Sequence, residues 1–400
     1  MPNKKLHIVI LSTWFPNPGS TSGIFVRDQA DALIDAGNKV AVFMFRYFSL
    51  IAWLKKKFKG EPLSDWIPGK NTVPFAYNHV NFFPSRFYTN PAKAEKKAFL
   101  KYTAKCFANY IKNNGKPDVM HHHGVADFCY ITAHLSKTFG IPYVITEHSM
   151  FIDTVDHFNA YETKEERLAM IQGATARITV STFYKKFNES IFHAPFVTIH
   201  NMISNDFVSP TLPLFPKNIN PFYFTNIGVL SRRKRQDILI KAFAAGFKNN
   251  KEVHLTIAGN GELENELKEL IASLQMQEQI HLTGYIARNE IISLLDKSHV
   301  VVISSEKESF SMAAAEALFR GNPVLSTECK GPEDFINPEN GMLCKLNDVE
   351  DMRDKMLKMY ANYSAFNHKE ISKKAIEQFS EQAIVEKLEE VYRNVIEPKN

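Results

Sequence analysis

Short apolar runs alternate with longer amphipathic segments along the chain. In the first half the runs are rich in Val and Ile and lie at residues 7–11, 40–45, 119–121, 143–146, 178–180 and 197–199. Segments of helical length separate them, at residues 25–36, 94–113, 127–139 and 163–173. Apolar strands that are joined by helices form parallel sheets, buried on both faces. The N-terminus is basic and then apolar, but the run at 6–11 is brief and no small-residue cleavage site follows, so we interpret it as the first strand rather than a signal peptide.

The pattern breaks at residues 209–222, which contain four prolines and no periodic apolar face. Such a segment is typical of an interdomain linker. The sequence therefore predicts an α/β protein of two Rossmann-like, doubly wound parallel-sheet domains, at residues 1–205 and 206–378, facing each other across a cleft. A C-terminal helix at about residues 379–397 is expected to pack back on the first domain. The second domain carries its own series of apolar runs, at residues 222–228, 253–258, 280–283, 300–303 and 323–326.

Composition agrees with a globular protein: the 400 residues are 44% hydrophobic and 23% charged, and this length suits two domains of ordinary size. No apolar stretch reaches the roughly 18 residues of a membrane span. The four cysteines are widely spaced and form no CxxC pair, which argues against a disulfide framework or a zinc site and fits a reducing compartment. We therefore expect a cytoplasmic protein.

Positive charge is concentrated in the first half of the chain. Residues 1–205 hold 24 Lys and Arg against 15 Asp and Glu, whereas the remainder holds 24 against 28. Between residues 39 and 116, fifteen basic residues face only three acids. Such a field attracts an anionic partner. Nucleic acid, an acidic membrane surface and a phosphorylated acceptor all stay open on charge alone, as does a basic face that is merely solvated.

The most informative segment runs from Glu308 to Glu316, with the sequence Glu-Ser-Phe-Ser-Met-Ala-Ala-Ala-Glu. It follows the apolar run at 300–303 and leads into a predicted helix that ends near Gly321. A helix that begins directly after a parallel strand offers free N–H groups and a positive dipole end, which suit a diphosphate. Eight helical residues span about 12 Å, so two carboxylates could hold hydroxyls at opposite ends of a nucleotide sugar. Glu316 lies among alanines and Leu318, so we expect it to be buried and to need partners.

This segment resembles the glutamate-x7-glutamate motif of family 4 glycosyltransferases, which have the GT-B fold. Any single motif of this kind is a weak signal, but further segments are similar to the family's motifs in order and spacing over nearly the whole chain. They are residues 20–41 (glycine loop and first helix), 118–124 and 141–148 (two acceptor-side strand ends), 228–243 (phosphate-binding loop), 258–262, 283–285 and 340–341.

The resemblance implies a role for each residue that matches a motif. Glu316 would hold the ribose hydroxyls, Glu308 hydroxyls of the transferred sugar, and Lys234 the diphosphate. His148 would lie beside the reacting carbon, and Gly23 would let the backbone approach the diphosphate, as only glycine permits. We expect catalysis to rest on His148, Glu308 and Lys234. The remaining expected site residues are Gly228, Arg232, Arg233, Tyr285, Phe310, Ser311 and Met312 on the donor side and His123 on the acceptor side.

The chain departs from the family pattern at four positions. The arginine that usually follows the first glycine of the phosphate-binding loop is Val229, and the glycine after the lysine is Arg235. Ser309 and Ser311 replace the glycines on either side of the phenylalanine in the glutamate motif. Either arginine of the loop, at position 232 or 233, is a candidate for the missing cation.

Three consecutive histidines at residues 121–123 suggest a metal site, but side chains on a strand alternate faces, so the three cannot all reach one ion. The preferred interpretation is a strand-end histidine, His123, that lines the cleft. Residues 46–59 combine aromatic side chains with a lysine cluster. They predict an interfacial helix that binds an acidic leaflet, with an ordinary surface helix as the alternative.

Together these observations predict a retaining, metal-independent hexosyltransferase that moves a sugar from a nucleotide-diphosphate sugar to a glycan or lipid-linked acceptor. The expected setting is bacterial cell-surface polysaccharide synthesis, such as lipopolysaccharide or capsule. No cofactor, metal or nucleic acid is expected. The alternative is a non-catalytic sugar-nucleotide-binding protein on the same fold. A nicotinamide dehydrogenase is disfavoured, because no GxGxxG follows the first strand.

Overall fold

The computed structural model describes residues 4–12, 15–16, 23–61, 74–81, 91–124, 129–148, 163–208 and 220–397. The chain forms two compact units. The expected domain boundary at residue 205 falls just inside the second unit, and most of the last helix belongs to the first. The first unit comprises Met1–Val180, Tyr184–Met202 and Ile384–Asn400, and the second comprises Ser181–Phe183 and Ile203–Ala383.

The first unit is built on one parallel sheet of seven strands. They are β1 (His7–Ser12), β2 (Lys39–Ser49), β3 (Pro74–Asn81), β4 (Val119–His123), β5 (Tyr143–Glu147), β6 (Ala176–Thr179) and β7 (Val197–Thr198). The strand order is β3-β2-β1-β4-β5-β6-β7. The order reverses between β1 and β4, which pair from Ile8↔Val119 to Ser12↔His123. In open sheets of this kind, ligands bind at the carboxyl ends of the strands next to such a reversal.

The second unit repeats the arrangement with six parallel strands. They are β8 (Phe222–Ile227), β9 (Val253–Ala258), β10 (Ile280–Gly284), β11 (Val300–Ile303), β12 (Val324–Thr327) and β13 (Gly341–Cys344). Their order is β10-β9-β8-β11-β12-β13, so the reversal lies between β8 and β11. The prediction of two doubly wound parallel-sheet domains is therefore confirmed.

Helices connect the strands, as parallel pairing requires. In the order of the chain they are α1 (Ile24–Asp35), α2 (Leu50–Phe58), α3 (Pro91–Asn114), α4 (Cys129–Phe139), α5 (Lys164–Gln172), α6 (Thr182–Phe192), α7 (Gln236–Phe247), α8 (Glu264–Ser273), α9 (Arg288–Lys297), α10 (Met312–Phe319), α11 (Val349–Ala361), α12 (His368–Phe379) and α13 (Glu381–Ile396). Short 3-10 helices lie at Asn205–Phe207, Arg232–Lys234, Gly331–Asp334 and Tyr363–Ala365. No helix in the described part of the chain is long and apolar enough to cross a bilayer.

The C-terminal helix completes the core of the first unit. Leu388 and Tyr392 of α13 are buried in the same apolar cluster as Ile8 and Ile10 of β1 and Leu33 of α1. Since strand residues of a parallel sheet need cover on both faces, α13 supplies part of the cover for one face of the sheet.

Two strands and one helix boundary differ from the sequence-based expectation. The strands β3 and β13 were not anticipated. Residues 46–49, which were expected to begin an interfacial helix, continue β2 instead, because its ladder with β3 runs on to Ser49↔Asn81. Of the expected linker at 209–222, residues 209–219 lie outside the described residues.

Candidate active site

The second unit places a cation and a carboxylate from two different strand ends in direct contact. Lys234 follows β8 and Glu308 follows β11, the two strands at the reversal of the sheet. Lys234 Nζ donates to Glu308 Oε1 at 2.5 Å, and Ser305 Oγ donates to the same oxygen at 2.6 Å. Glu308 is 6% exposed. A charge buried to this degree needs such partners, and Ser305 is a participant that the sequence analysis missed.

Further hydrogen bonds fasten the loop after β8 to the loop after β11. Ser304 Oγ donates to the carbonyl of Lys234 at 2.7 Å, and the N–H of Glu306 donates to the carbonyl of Arg233 at 2.8 Å. The backbone of Glu308 is held on its other side by residues that follow β12: its N–H donates to the Cys329 carbonyl at 2.7 Å. The separation between Lys234 and Glu308 is therefore fixed by the backbone as well as by the side chains.

The loop that begins at Gly228 packs closely against the loop after β9. A Cβ on Gly259 would lie 2.0 Å from the Gly228 carbonyl oxygen, and one on Gly261 would lie 2.3 Å from the Leu230 carbonyl oxygen. Neither distance is tolerable, so only glycine fits at either position. The side chain of Lys234 runs beside Gly228, whose own Cβ would lie 3.6 Å from Lys234 Cε.

Helix α10 begins four residues after Glu308, next to this pair. Phe310 is 1% exposed and packs against the rings of Phe335 and Phe379, at centroid distances of 5.3 and 5.4 Å. Ser311 has φ 78°, a left-handed conformation that explains why glycine is usual there. This turn anchors Phe310 and starts the helix at Met312.

Glu316 departs from expectation, because it is partly buried rather than buried. Its neighbours Ala315 and Ala317 face the core, whereas Glu316 lies on the margin of the helix. The apolar composition of the segment misled the prediction, since a helix with one buried face still leaves every third or fourth residue at its edge.

The arginines of the loop after β8 have distinct environments. Arg232 and Arg233 are both exposed; the side chain of Arg232 is 82% exposed and its guanidinium lies 4.0 Å from Glu266. Arg235 has φ 49°, again left-handed, where the family has glycine. Its guanidinium donates to Asp237 Oδ1 at 3.0 Å, to Glu306 Oε1 at 2.8 Å and to Asn347 Oδ1. Arg235 is thus committed to protein contacts and is not a substitute for the missing loop arginine.

Two large side chains stand exposed beside these loops. Val229, in place of the family arginine, is 58% exposed, and Tyr285, directly after β10, is 55% exposed. Tyr285 follows Gly284, whose carbonyl accepts from the N–H of Gly259 at 2.9 Å. The ring is therefore carried on the same backbone framework as the loop from Gly228 and is open to a ligand.

In the first unit the two expected histidines meet at the carboxyl ends of β4 and β5. His123 Nδ1 lies 2.8 Å from His148 Nε2, and His148 Nδ1 lies 3.0 Å from Asn201 Oδ1. Gln29 Nε2 lies 3.5 Å from His123 Nε2. An amide oxygen can only accept, so His148 Nδ1 carries its proton, and His148 Nε2 accepts from His123 Nδ1–H. Both rings are neutral in this arrangement.

His121 extends the network toward the C-terminal helix. Its Nε2 lies 2.7 Å from Thr146 Oγ1 and its Nδ1 lies 2.6 Å from the hydroxyl of Tyr392 on α13. His122 points to the other face and lies 2.8 Å from Thr132 Oγ1. The side chains of His121 and His122 thus lie on opposite faces of the sheet, as the argument against a three-histidine metal site requires. Among the described residues, no cluster of metal-ligating side chains is found.

Burial sets the protonation of this network. Desolvation lowers the pKa of His148 to about 4 and that of His121 to about 3, and it lowers the pKa of His123 well below the ordinary value. Asn201 raises the pKa of His148 slightly against this effect. The three rings therefore stay neutral at physiological pH, where they donate and accept hydrogen bonds but carry no charge.

Gly23 stands directly before α1 with φ 77°, where its carbonyl accepts from the N–H of Val26 at 3.0 Å. The backbone conformation thus favours glycine at this position. The loop that precedes it, residues 17–22, lies outside the described residues. Phe25, two residues further on, packs against the ring of His148 at a centroid distance of 4.5 Å, so α1 begins beside the histidine pair.

Comparison with known proteins gives the same family for both halves of the chain. Residues 22–207 match the family described as Glycosyltransferase Family 4, and residues 215–394 match Glycosyl transferases group 1. An uncharacterized glycosyltransferase of Methanocaldococcus jannaschii is 36% identical over 127 residues, which are 32% of this chain and 31% of that protein. The poly(ribitol-phosphate) alpha-N-acetylglucosaminyltransferase of Staphylococcus aureus is 29% identical over 168 residues, 40% of this chain and 34% of that protein.

The chain thus matches about a third of the length of each of these two relatives. Solved glycosyltransferase structures align over nearly all of it. The Anabaena protein Alr3699/HepE, in complex with UDP and glucose, superimposes with a TM-score of 0.66 at 17% identity, covering 96% of this chain and 99% of its own. The chain belongs to the group 1, family 4 glycosyltransferases and has the GT-B fold.

Proposed function

We propose that this protein is a retaining hexosyltransferase that uses a nucleotide-diphosphate sugar as donor and a glycan or lipid-linked molecule as acceptor. The observation that carries the proposal is the partly buried contact between Lys234 Nζ and Glu308 Oε1 next to the start of α10. A cation and the N-terminus of a helix suit the diphosphate, whose negative charge grows as it leaves, and a carboxylate at the same sheet reversal suits the sugar hydroxyls.

Different residues would bind the different parts of the donor. Lys234 and the backbone N–H groups of Phe310, Ser311 and Met312 hold the diphosphate and the sugar, while Glu308 accepts hydrogen bonds from sugar hydroxyls. Glu316, being partly open, accepts from the ribose hydroxyls. The remaining donor-side residues are Gly228, which leaves room beside Lys234, the exposed Tyr285, and Arg232 and Arg233 as further cations.

In the proposed reaction one bond to the anomeric carbon breaks, another forms, and one proton is transferred. The acceptor oxygen forms a bond to the anomeric carbon on the face from which the diphosphate oxygen departs, and the acceptor proton passes to that departing oxygen. Configuration is retained. In this proposal no covalent intermediate forms on a carboxylate, and Glu308, whose Oε1 accepts from Lys234 and Ser305, serves as a hydrogen-bond acceptor and not as a nucleophile. The neutral His148 and His123 would contact the sugar and acceptor hydroxyls without adding charge near the reacting carbon.

We propose that no metal takes part. The charge that develops on the leaving diphosphate would be met by Lys234, a loop arginine and the start of α10, so a divalent cation has no required position. Turnover should accordingly persist in excess EDTA. A loss of turnover that Mg²⁺ or Mn²⁺ restores would contradict this part of the proposal.

The setting we propose is cell-surface polysaccharide synthesis at the cytoplasmic side of the membrane. The S. aureus relative, by its name, modifies a poly(ribitol phosphate). Helix α2 offers a means of reaching a lipid surface: Ile51 and Phe58 are 68% and 86% exposed, and Lys55 and Lys57 beside them are exposed as well. Exposed apolar residues next to lysines are the pattern of an interfacial helix.

The test of the proposed function is donor binding followed by turnover. The purified full chain is screened by thermal shift against UDP, GDP and ADP and their sugars. A nucleotide at 100 times its dissociation constant should stabilise the protein by about 2.7 kcal/mol. A binding nucleotide sugar is then incubated with acceptor candidates, and nucleotide release is measured. Binding without release under any condition would support the non-catalytic alternative, and no binding at all would refute both.

A further inference from the structure

Helix α3 has one face that belongs to the core and another that is lined by lysines. Phe99, Phe107 and Tyr110 are buried in the core of the first unit. The opposite face carries four exposed lysines that lie within a sector of about 80° over a length of about 22 Å, given 100° and 1.5 Å per residue. We call this set the lysine face: Lys97, Lys101, Lys105 and Lys112.

Among the described residues, no acid neutralises the lysine face. No Asp or Glu occurs between residues 96 and 117, and none of its four lysines forms an ion pair with any described residue. The acid at the start of the helix, Glu95, lies on a different side, and Glu166 of α5 pairs at 3.1 Å with Lys96, which is also outside the face. Lys116 and Lys137, from the neighbouring loop and from α4, are exposed and add charge of the same sign.

In two other helices of this chain, exposed lysines are paired with glutamates of the same helix. In α8 Lys268 lies 2.6 Å from Glu264, and in α12 Lys373 lies 3.9 Å from Glu377, both at the i,i+4 spacing that a solvated helix uses. An exposed helix that repeats lysine without any acid forgoes this stabilisation and repels itself. Such a face is explained when an external anion supplies the missing charge.

The lysine face lacks large exposed apolar side chains, which favours a polymer over a lipid surface as its partner. The other exposed residues of α3 in this region are small or polar, such as Ala98, Ala108 and Asn109. None of them can enter the headgroup boundary, in contrast to Ile51 and Phe58 of α2. A straight row of cations without an apolar edge fits a linear polyanion that lies along the helix.

We propose that the lysine face binds an acceptor that is itself a linear polyanion, a chain that bears phosphate or carboxylate groups at regular intervals. The inference rests on the proposed function and narrows its acceptor to this class. Successive lysines four residues apart are separated by about 6 Å along the axis, so one chain can contact several at a time. Binding of this kind gains from each contact and is strongly weakened by salt.

The experiment compares two triple variants of the full chain. K97E/K101E/K105E reverses the lysine face, and K251E/K268E/K373E reverses the same number of exposed lysines on the second unit. Binding to fluorescently labelled linear polyphosphate and to polygalacturonate is measured by anisotropy at increasing salt. We expect the first variant to bind at least about tenfold more weakly and the second to bind like the parent; the better of the two polymers identifies phosphate or carboxylate as the anion.

Equal binding by K97E/K101E/K105E and the parent would overturn the proposal, as would a larger loss of binding by this variant to duplex DNA or to acidic vesicles than to either polymer. Thermal unfolding and nucleotide binding of each variant are recorded in parallel. These measurements separate the two hypotheses: failure of the parent to bind any nucleotide refutes the proposed function, whereas intact nucleotide binding with an unchanged polymer affinity refutes the lysine face alone.

Discussion

Two residues of the candidate site, Ser311 and Arg235, hold positions where the backbone conformation favours glycine, and Arg235 makes side-chain contacts that glycine cannot. Ser311 starts α10 at φ 78°, and Arg235 precedes α7 at φ 49°. A left-handed conformation costs a residue with a Cβ about 1 kcal/mol or more. Arg235 offsets the cost through its guanidinium, which joins Asp237, Glu306 and Asn347. Its contact with Glu306 reinforces the link between the loop that carries Lys234 and the loop that carries Glu308.

We predict that at position 235 the glycine variant is more stable than the alanine variant. Arg235→Ala loses the contacts and keeps the backbone cost, whereas Arg235→Gly loses the contacts and relieves the cost. The glycine variant should therefore be more stable than the alanine variant by about 1 kcal/mol, opposite to the usual order of the two residues in a helix. Calorimetric unfolding of both variants and the parent measures it. An alanine variant at least as stable as the glycine variant would show that no such cost exists.

Glu316 is the residue whose environment differed from expectation, yet its partly open position suits a ligand contact. We expect Glu316→Ala to weaken nucleotide binding by about 1.5–3 kcal/mol for each charge-assisted hydrogen bond lost and to reduce turnover with it. Glu328→Ala, at an exposed glutamate after β12, is the matched control and should leave both unchanged. Titration calorimetry with the nucleotide checks the prediction. Full affinity in a folded Glu316→Ala protein would remove this residue from the donor site.

At the scale of elements, α2 combines two properties that counteract each other. Ile51 and Phe58 are exposed, but Lys56 and Lys59 each lie within 4 Å of Glu61, at 3.8 and 3.7 Å. Lys57 lies over the Trp53 ring at 4.9 Å. Part of the positive charge is thus already partnered, so insertion of the apolar side chains has to supply much of the attraction to a lipid surface.

We therefore predict that membrane binding by α2 depends on Phe58 and Ile51 as well as on charge. The parent should co-sediment with liposomes that contain acidic lipid at low salt, and less so at 1 M salt, where the Debye length falls to about 3 Å. Ile51→Ser with Phe58→Ser should reduce sedimentation at both salt concentrations, whereas Lys55→Glu should act mainly at low salt. Equal sedimentation with neutral and acidic liposomes, or none with either, would refute the role of α2.

Some strands could be predicted from the sequence and others could not. Strands β9 and β11 have the predicted bounds: β11 is apolar throughout, as a strand buried on both faces is, and β9 has apolar residues at all positions except 254 and 256. Strand β13 was missed because it is four residues long and begins at Gly341, whose Cβ would lie 2.0 Å from the Val324 carbonyl oxygen. At this position the close contact with β12 determines the residue type, and the periodicity of apolar residues carries no information about such a contact.

At the scale of the whole molecule, the site residues were predictable where they belong to a local motif and not where distant segments meet. Glu308 and Lys234 were identified from motifs, and the structure brings them together. Tyr392, in contrast, reaches His121 across 271 residues of sequence. Ser305 and Asn201 were overlooked for a related reason: a small polar residue after a strand has no distinctive signal until its neighbour in space is known.

The neutral histidine network makes the stability of the first unit depend on pH. The folded-state pKa values of His121 and His148, about 3 and about 4, lie below the unfolded value of 6.5. The unfolded chain therefore binds protons first as the pH falls, and stability is lost from about pH 6.5 down to about pH 4 for His148 and about pH 3 for His121. A shift of this size corresponds to roughly 3 kcal/mol for His148 alone. All three tryptophans of the chain, at positions 14, 53 and 66, fall within residues 1–180, which belong to the first unit, and none falls within the sequence of the second.

We expect urea midpoints followed by tryptophan fluorescence to fall steadily between pH 7 and pH 4.5. His148→Gln should lower the midpoint at pH 7, because Asn201 and His123 lose a partner, but it should flatten the dependence on pH, because one histidine no longer has to stay neutral. His281→Gln, at an exposed histidine of the second unit, should leave the curve of the parent unchanged. The two variants separate the network from general acid denaturation: if the His148→Gln curve runs parallel to that of the parent, the acid sensitivity arises from carboxylates elsewhere and not from the buried rings.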